Sequence, residues 1–153
     1  VDTYLLAGYT DQQVTDAAIQ LIQAGLPTIL FVHLPDVDTR GHGSGWMSDV
    51  QLYAVAQADA QIGRIVTALE NGDYRATTLI IVTSDHGGAG TGHGSGSVED
   101  VTIPWLAAGP TVKSGLTIRQ AVIIYDTAAT ILHSLNLPIP EQWEGKPLLE
   151  IFN

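Results

Sequence analysis

The run Thr28-Ile29-Leu30-Phe31-Val32-His33-Leu34 decides the fold class. It is almost continuously apolar, with no polar alternation. A strand wetted on one face alternates apolar and polar residues, whereas a strand buried on both faces of an α/β sheet does not. Thr78-Leu79-Ile80-Ile81-Val82-Thr83 has the same character. Between them, Ser48 and Gln51 stand at capping-box spacing, and Leu52, Val55, Ile62, Val66 and Leu69 recur with a helical period until Asn71-Gly72. This predicts a long helix, with Asp59 on its apolar face as a buried, hydrogen-bonded acid of structural role. Upstream, Thr10 and Gln13 open a helix with the stripe Val14, Ala18, Leu21 and Ile22, closed by Gly25. Downstream, Val101 to Ala107 predicts a third strand and Ala121 to Ile124 a short fourth. Asp126 or Thr127 then caps a last helix to about Leu135, stopped by Asn136-Leu137-Pro138. The tail 140–153 is expected to be anchored by Trp143 and Phe152. The pattern is an α/β fold, a layered sheet with helices on both faces, in one domain of 153 residues without linker or low-complexity tract.

The net charge of −10 argues against a nucleic-acid backbone or an anionic membrane as the main partner. It leaves phosphorylated small molecules open, because bound cations can dominate the field within a site. With no cysteine, disulfides and thiolate metal sites are excluded, and any metal must use His, Asp or Glu. No apolar run approaches the ~20 residues needed to span a bilayer. The chain begins at Val1 rather than methionine and shows no signal peptide, so it reads as an internal start. Its location is left unassigned, with the periplasm or the extracellular space both compatible.

Two glycine-rich loops follow the two clearest strands. The loop 35–45 carries Asp36, Asp38 and His42, and the loop 84–96 carries Asp85, His86 and His93. Gly-His-Gly-Ser-Gly occurs at 41–45 and again at 92–96. Ligands of open α/β sheets bind beyond the carboxyl ends of strands. Imidazole nitrogen with carboxylate oxygen, and no thiolate, suits zinc, manganese or iron better than calcium or magnesium. Two ions about 3.5–4 Å apart could clamp the entering and leaving oxygens of a phosphoryl transfer. Spacing alone leaves the partition of ligands open. Asp36 would point away from Asp38 in an extended segment and orient a ligand histidine. His33 is expected beside the site without being a ligand, and His133 in the last helix without a role in it.

Asp38-Thr39-Arg40-Gly41-His42, between His33-Leu34-Pro35 and Gly45-Trp46, resembles the Asp-x-x-Gly-His segment of the alkaline phosphatase superfamily, in its nucleotide pyrophosphatase/phosphodiesterase branch. Thr83-Ser84-Asp85-His86-Gly87-Gly88 resembles the superfamily's Asp-His-Gly segment, and His93-Gly94 its last ligand histidine. Asp126 to Ile131 and Glu144 to Leu148 are similar to its closing helix and tail. The resemblance covers about residues 28 to 150. It implies a two-metal phosphoric-ester hydrolase, with zinc (or manganese) as the ions and a small phosphate ester as substrate. It implies one ion held by Asp38, His42 and His93, and a second by Asp85 and His86. The superfamily's Ser or Thr nucleophile and one further Asp ligand belong to an N-terminal part that has no match here. The expectation is therefore a C-terminal, metal-binding part, inactive alone, with self-association through its uncovered surface as a candidate.

Within the superfamily, a sulfatase and a cofactor-independent phosphoglycerate mutase are the alternatives. A non-catalytic, metal-binding fragment is the alternative of another class. A serine hydrolase is disfavoured. His86-Gly87-Gly88-Ala89-Gly90 resembles an oxyanion loop, but no Gly-x-Ser-x-Gly elbow accompanies it.

Overall fold

The computed structural model describes residues 8–153, as helices and a small sheet in an α/β arrangement. The described chain divides into two compact units, one of residues 8–75 with 86–102 and one of residues 76–85 with 103–153. Among the described residues no helix is long and apolar enough to cross a membrane.

The first unit is built on α1 (Asp11–Ala24), α2 (Asp36–Ser44), α3 (Asp49–Asn71) and the single turn α4 (Val98–Val101), with α3 packed against both α1 and α2. The expected N-caps form. Thr10 Oγ1 accepts from Gln13 N, and Ser48 Oγ accepts from Gln51 N, each at 3.3 Å. The Gln side chains reach one residue beyond the cap, to Tyr9 N and Met47 N, so both boxes satisfy two amides.

The buried faces agree with the periodicity at Ala18, Ile22 and Leu69 and differ from it elsewhere. α1 buries Asp11, Thr15, Ala18 and Ile22, and α3 buries Gln51, Ala54, Ala58, Ala68 and Leu69. Leu52 and Val55 are exposed, and so is Asp59, which is therefore not a buried acid. Helix-to-helix contact uses the alanines because small side chains permit close approach of two helices. Of the larger apolar residues, Leu52 and Val55 face outward, Ile62 and Val66 are half-buried, and Leu69 is buried.

Two further expectations are corrected here. Residues 29–35 have no regular structure, with Phe31 87% and Ile29 54% exposed. A strand needs a neighbour to pair with, and the described residues supply none for this run. Conversely, the segment read as a loop from Pro35 is helix α2. Glycine lowers helix propensity by about 1 kcal/mol per residue, but tertiary contacts override it. Gly41 is buried where a Cβ would lie 2.8 Å from Gln51 Nε2 and 3.0 Å from the Trp46 ring.

A remote cap starts α2. Asp36 N donates to Asp11 Oδ1 at 2.9 Å, and Asp11 N donates to Asp36 Oδ2 at 3.2 Å. Asp36 thus caps α1 rather than orienting a histidine, and His33 bears on Asp11 electrostatically.

Asp11 is 2% exposed, and its Oδ2 has no hydrogen-bond partner. Burial, reinforced by the Asp36 charge, pushes its carboxyl above the usual carboxylate range despite the Asp36 amide and His33. The folded chain therefore holds this proton more tightly than the unfolded chain. The associated stability is full below about pH 4 and is lost as pH rises through the folded pKa. Asp11→Asn keeps an oxygen for the Asp36 amide, so the variant should gain on the parent chain as pH rises from about 4 to 7. Urea melts across that range check this, and parallel pH profiles for the two proteins would refute it.

The second unit holds β1 (Ile80–Thr83), β2 (Trp105–Ala108) and α5 (Asp126–Ser134). The strands pair antiparallel, Ile80 opposite Ala108 and Thr83 opposite Trp105. The expected third strand is shorter than predicted, because residues 98–101 are α4, and the expected fourth at 121–124 does not form. Trp105 Nε1 donates to Thr127 Oγ1 at 3.0 Å, tying β2 to α5. Asp126 does not cap α5 from outside. It sits in the first turn, and its carboxylate accepts from Ile123 N at 2.9 Å and Lys146 N at 2.8 Å.

The tail is anchored by Leu148 and Ile151, 0% and 2% exposed, while Trp143 is 42% exposed. Buried Thr130 links tail to helix, donating to Asp126 O at 2.8 Å and accepting from Leu148 N at 3.0 Å. Thr130→Val preserves shape but strands the Leu148 amide, a loss of about 1–3 kcal/mol measurable by chemical denaturation.

Candidate metal centre

Helix α2 puts Asp38 and His42 at i and i+4, one above the other on one face. His42 Nε2 lies 3.4 Å from Asp38 Oδ1. The second loop of the same unit brings His86 Nε2 to 3.8 Å and His93 Nε2 to 3.7 Å of that same oxygen. Donor atoms of Asp38, His86 and His93 all lie within 4.8 Å of one another. The rings of His86 and His93 stack at 3.6 Å, and those of His42 and His93 are 5.0 Å apart. Asp85 belongs to the second unit, just beyond β1, with an exposed side chain. His133 is exposed on α5, its ring 5.4 Å from Phe152.

Three features fit a divalent cation. Donors bonded to one ion at about 2.0–2.2 Å stand roughly 3.0–3.5 Å apart, close to the spacings around Asp38 Oδ1. The Asp38 side chain is 45% exposed, yet its Oδ1 is buried and accepts no hydrogen bond. A buried carboxylate oxygen without a partner costs stability unless a cation satisfies it. The histidine tautomers point the same way. His42 Nδ1 lies 2.9 Å from Thr91 O, and His86 Nδ1 lies 2.8 Å from Gly87 O. A carbonyl only accepts, so both Nδ1 atoms carry a proton, and both Nε2 atoms, the nitrogens a cation would take, face Asp38. Holding the outer nitrogen on a carbonyl is how ligand histidines are oriented.

Sequence reasoning used Trp46 only as a motif marker and missed its position. Its backbone N–H donates to Gly90 O at 2.7 Å, joining the end of α2 to the histidine loop. The indole occupies the space that Cβ atoms at Gly41 and Gly88 would need. It meets His42 edge-on at 5.2 Å and His93 at 5.8 Å. The signal available was the glycine at 41 and the pair at 87–88, which predicts a close approach by something large.

The chain belongs to the metalloenzyme superfamily, whose sequence profile matches residues 2–139. Its relatives include two kinds of enzyme. It is 31% identical over 143 residues to the 2,3-bisphosphoglycerate-independent phosphoglycerate mutase of Natronomonas pharaonis, across 90% of this chain and 27% of the mutase. It is 28% identical over 145 residues to the mutase of that name from Shewanella sp. strain ANA-3, across 91% of this chain and 26% of the mutase. It is 32% identical over 101 residues to human Arylsulfatase K, across 63% of this chain and 19% of the sulfatase. The chain therefore spans about a quarter of the mutases' length. These relatives support the superfamily expected from the motifs. They belong to the mutase and sulfatase branches held as alternatives, and none bears the phosphodiesterase name.

Proposed function

We propose that this chain is the metal-holding part of an enzyme that transfers the phosphoryl group of a small phosphate ester. The observation that carries it is the convergence of three imidazole nitrogens on an unpartnered, buried oxygen of Asp38. The mutase likeness over 90% of the chain favours phosphoryl transfer over the hydrolase reading that the motifs suggest. We assign Asp38, His42, His86 and His93 as ligands of a divalent ion, zinc or manganese. When bound there, such an ion supplies Lewis-acid stabilisation of charge on a phosphoryl oxygen. The chain's own residues do the holding. Asp38 contributes the negative charge, and the Thr91 and Gly87 carbonyls orient two of the three imidazoles. Trp46 covers one side of the cluster and limits water there. The attacking group is not assigned to any residue of this chain.

The second reading is sulfuryl rather than phosphoryl transfer, favoured by the Arylsulfatase K match. Both groups are tetrahedral oxyanions, so one experiment separates them. The chain is loaded with zinc or manganese and melted with inorganic phosphate or with sulfate. Phosphate should raise the melting temperature of the loaded chain and leave Asp38→Ala unaffected. A rise with sulfate alone would transfer the assignment to sulfate esters. A shift with neither would refute an oxyanion site.

A further inference from the structure

We propose that Asp100 is a positioning residue for the metal centre, one that sets His93 and His86 at their distance from Asp38. The proposal rests on the ligand assignment above and adds a residue that offers no donor atom to the cluster.

α4 is a single turn with an inverted burial pattern. Val98 and Val101 are 74% and 66% exposed, while Asp100 is 5% exposed. A turn retained for apolar packing would bury its valines, so this one is shaped around its acid. Asp100 Oδ2 accepts from Ser95 N and from Ser95 Oγ, both at 2.6 Å. Ser95 Oγ accepts from Ser97 N at 3.2 Å, and Ser97 Oγ accepts from Asp100 N at 3.3 Å, which closes a ring. The Ser95 hydroxyl, with backbone amides of Ser95, Gly96 and Gly94, holds this carboxyl below the usual range despite burial. Gly94 (φ 92°) and Gly96 (φ 76°) adopt the left-handed conformations that turn those amides inward. His93 lies two residues before Ser95, so the carboxylate fixes its loop.

The backbone of the same turn fixes the start of that loop. Gly87 N donates to Asp100 O at 2.7 Å, and Gly88 N donates to Glu99 O at 3.0 Å. His86 immediately precedes these amides. One residue thereby grips both ends of the histidine loop, by its carboxylate at Ser95 and by its carbonyl at Gly87. Stacked imidazoles at 3.6 Å with both Nε2 atoms near one oxygen require the two ends of that loop to be held in register. The second Gly-His-Gly-Ser-Gly copy acquires a reason here, since its serine is the handle that Asp100 holds.

The test is zinc affinity of the chain by chelator competition, with the melting temperature of the metal-free protein measured alongside. Asp100→Ala should weaken zinc binding by about 10–100-fold, the usual cost of losing an orienting partner. Asp100→Asn, whose amide oxygen can accept both Ser95 bonds, should recover most of it. On a His93→Ala background, Asp100→Ala should cost little more, because the two changes act through one ligand. Ser95→Ala, a milder change, should weaken zinc binding in the same direction and covers the case in which Asp100→Ala fails to fold. A lower apo melting temperature with unchanged zinc affinity would make Asp100 merely structural and overturn the proposal. Full additivity with His93→Ala would do the same. If the unaltered chain takes up no zinc, the ligand assignment fails and the inference with it. If it does so and all Asp100 and Ser95 variants match it, the inference alone fails.

Discussion

Asp38→Ala should abolish tight metal binding while leaving the metal-free fold intact. Structural zinc sites bind with roughly 10–16 kcal/mol shared among about four ligands, so one ligand accounts for roughly 3 kcal/mol, on the order of 100-fold in affinity. Asp38 should exceed that share, because its Oδ1 is the atom common to all three histidine distances and supplies the cluster's negative charge. In the metal-free protein that oxygen has no hydrogen-bond partner, so deleting it sacrifices no bond and relieves an unsatisfied buried group. The apo variant is therefore expected to melt no lower than the apo parent. Most substitutions that remove a function also lower stability, and the two readings separate here. A fall in apo melting temperature with retained metal would show that Asp38 is structural.

Gly87→Ala should be the most damaging single-methyl change near the site. A Cβ at Gly87 would overlap the Glu99 carbonyl oxygen and lie 3.1 Å from Thr102 O. Both obstacles are backbone, and neither can swing aside as a side-chain tip would. Relief requires moving the loop from α4, breaking the Gly87 N to Asp100 O and Gly88 N to Glu99 O bonds. Overpacking of this kind costs about 3 kcal/mol, which for a chain of this size is roughly a 10 °C fall in melting temperature. His86 moves with the loop, so zinc affinity should fall as well. Gly90→Ala is the comparison. Nothing lies within 4 Å of its Cβ, and only the strain of its φ of 59° applies. A Gly87→Ala protein as stable as Gly90→Ala would contradict the packing described.

Much of this site was legible in the sequence because its signals are chemical rather than conformational. Three histidines and an aspartate in glycine-rich segments stand out as a candidate ligand set whatever the backbone does, and the superfamily likeness follows from the same residues. Both capping boxes were legible because they act within one turn. The less legible features depend on residues distant in sequence. Helix α2 exists because Asp11 caps Asp36 from 25 residues away and because Gln51 and Trp46 enclose Gly41, none of which a local pattern reveals. The buried face of α3 was legible at Leu69 but not at Ala54 and Ala58, because the periodicity marks large apolar residues. The run 28–34 has the composition of a strand, but composition does not provide a neighbour to pair with. The grouping of His86 with Asp38 was not legible either, since it depends on how far α4 draws the second loop.

The most direct measurement is the metal content of the 153-residue chain after equilibration with zinc and removal of excess, by elemental mass spectrometry, beside His42→Ala and Asp38→Ala. The parent should retain about one tightly held zinc per chain, the occupancy of a single four-donor set, and Asp38→Ala should retain none. Zinc at the same level in all three proteins, or in none, would show that the Asp38, His42, His86 and His93 cluster does not hold a metal.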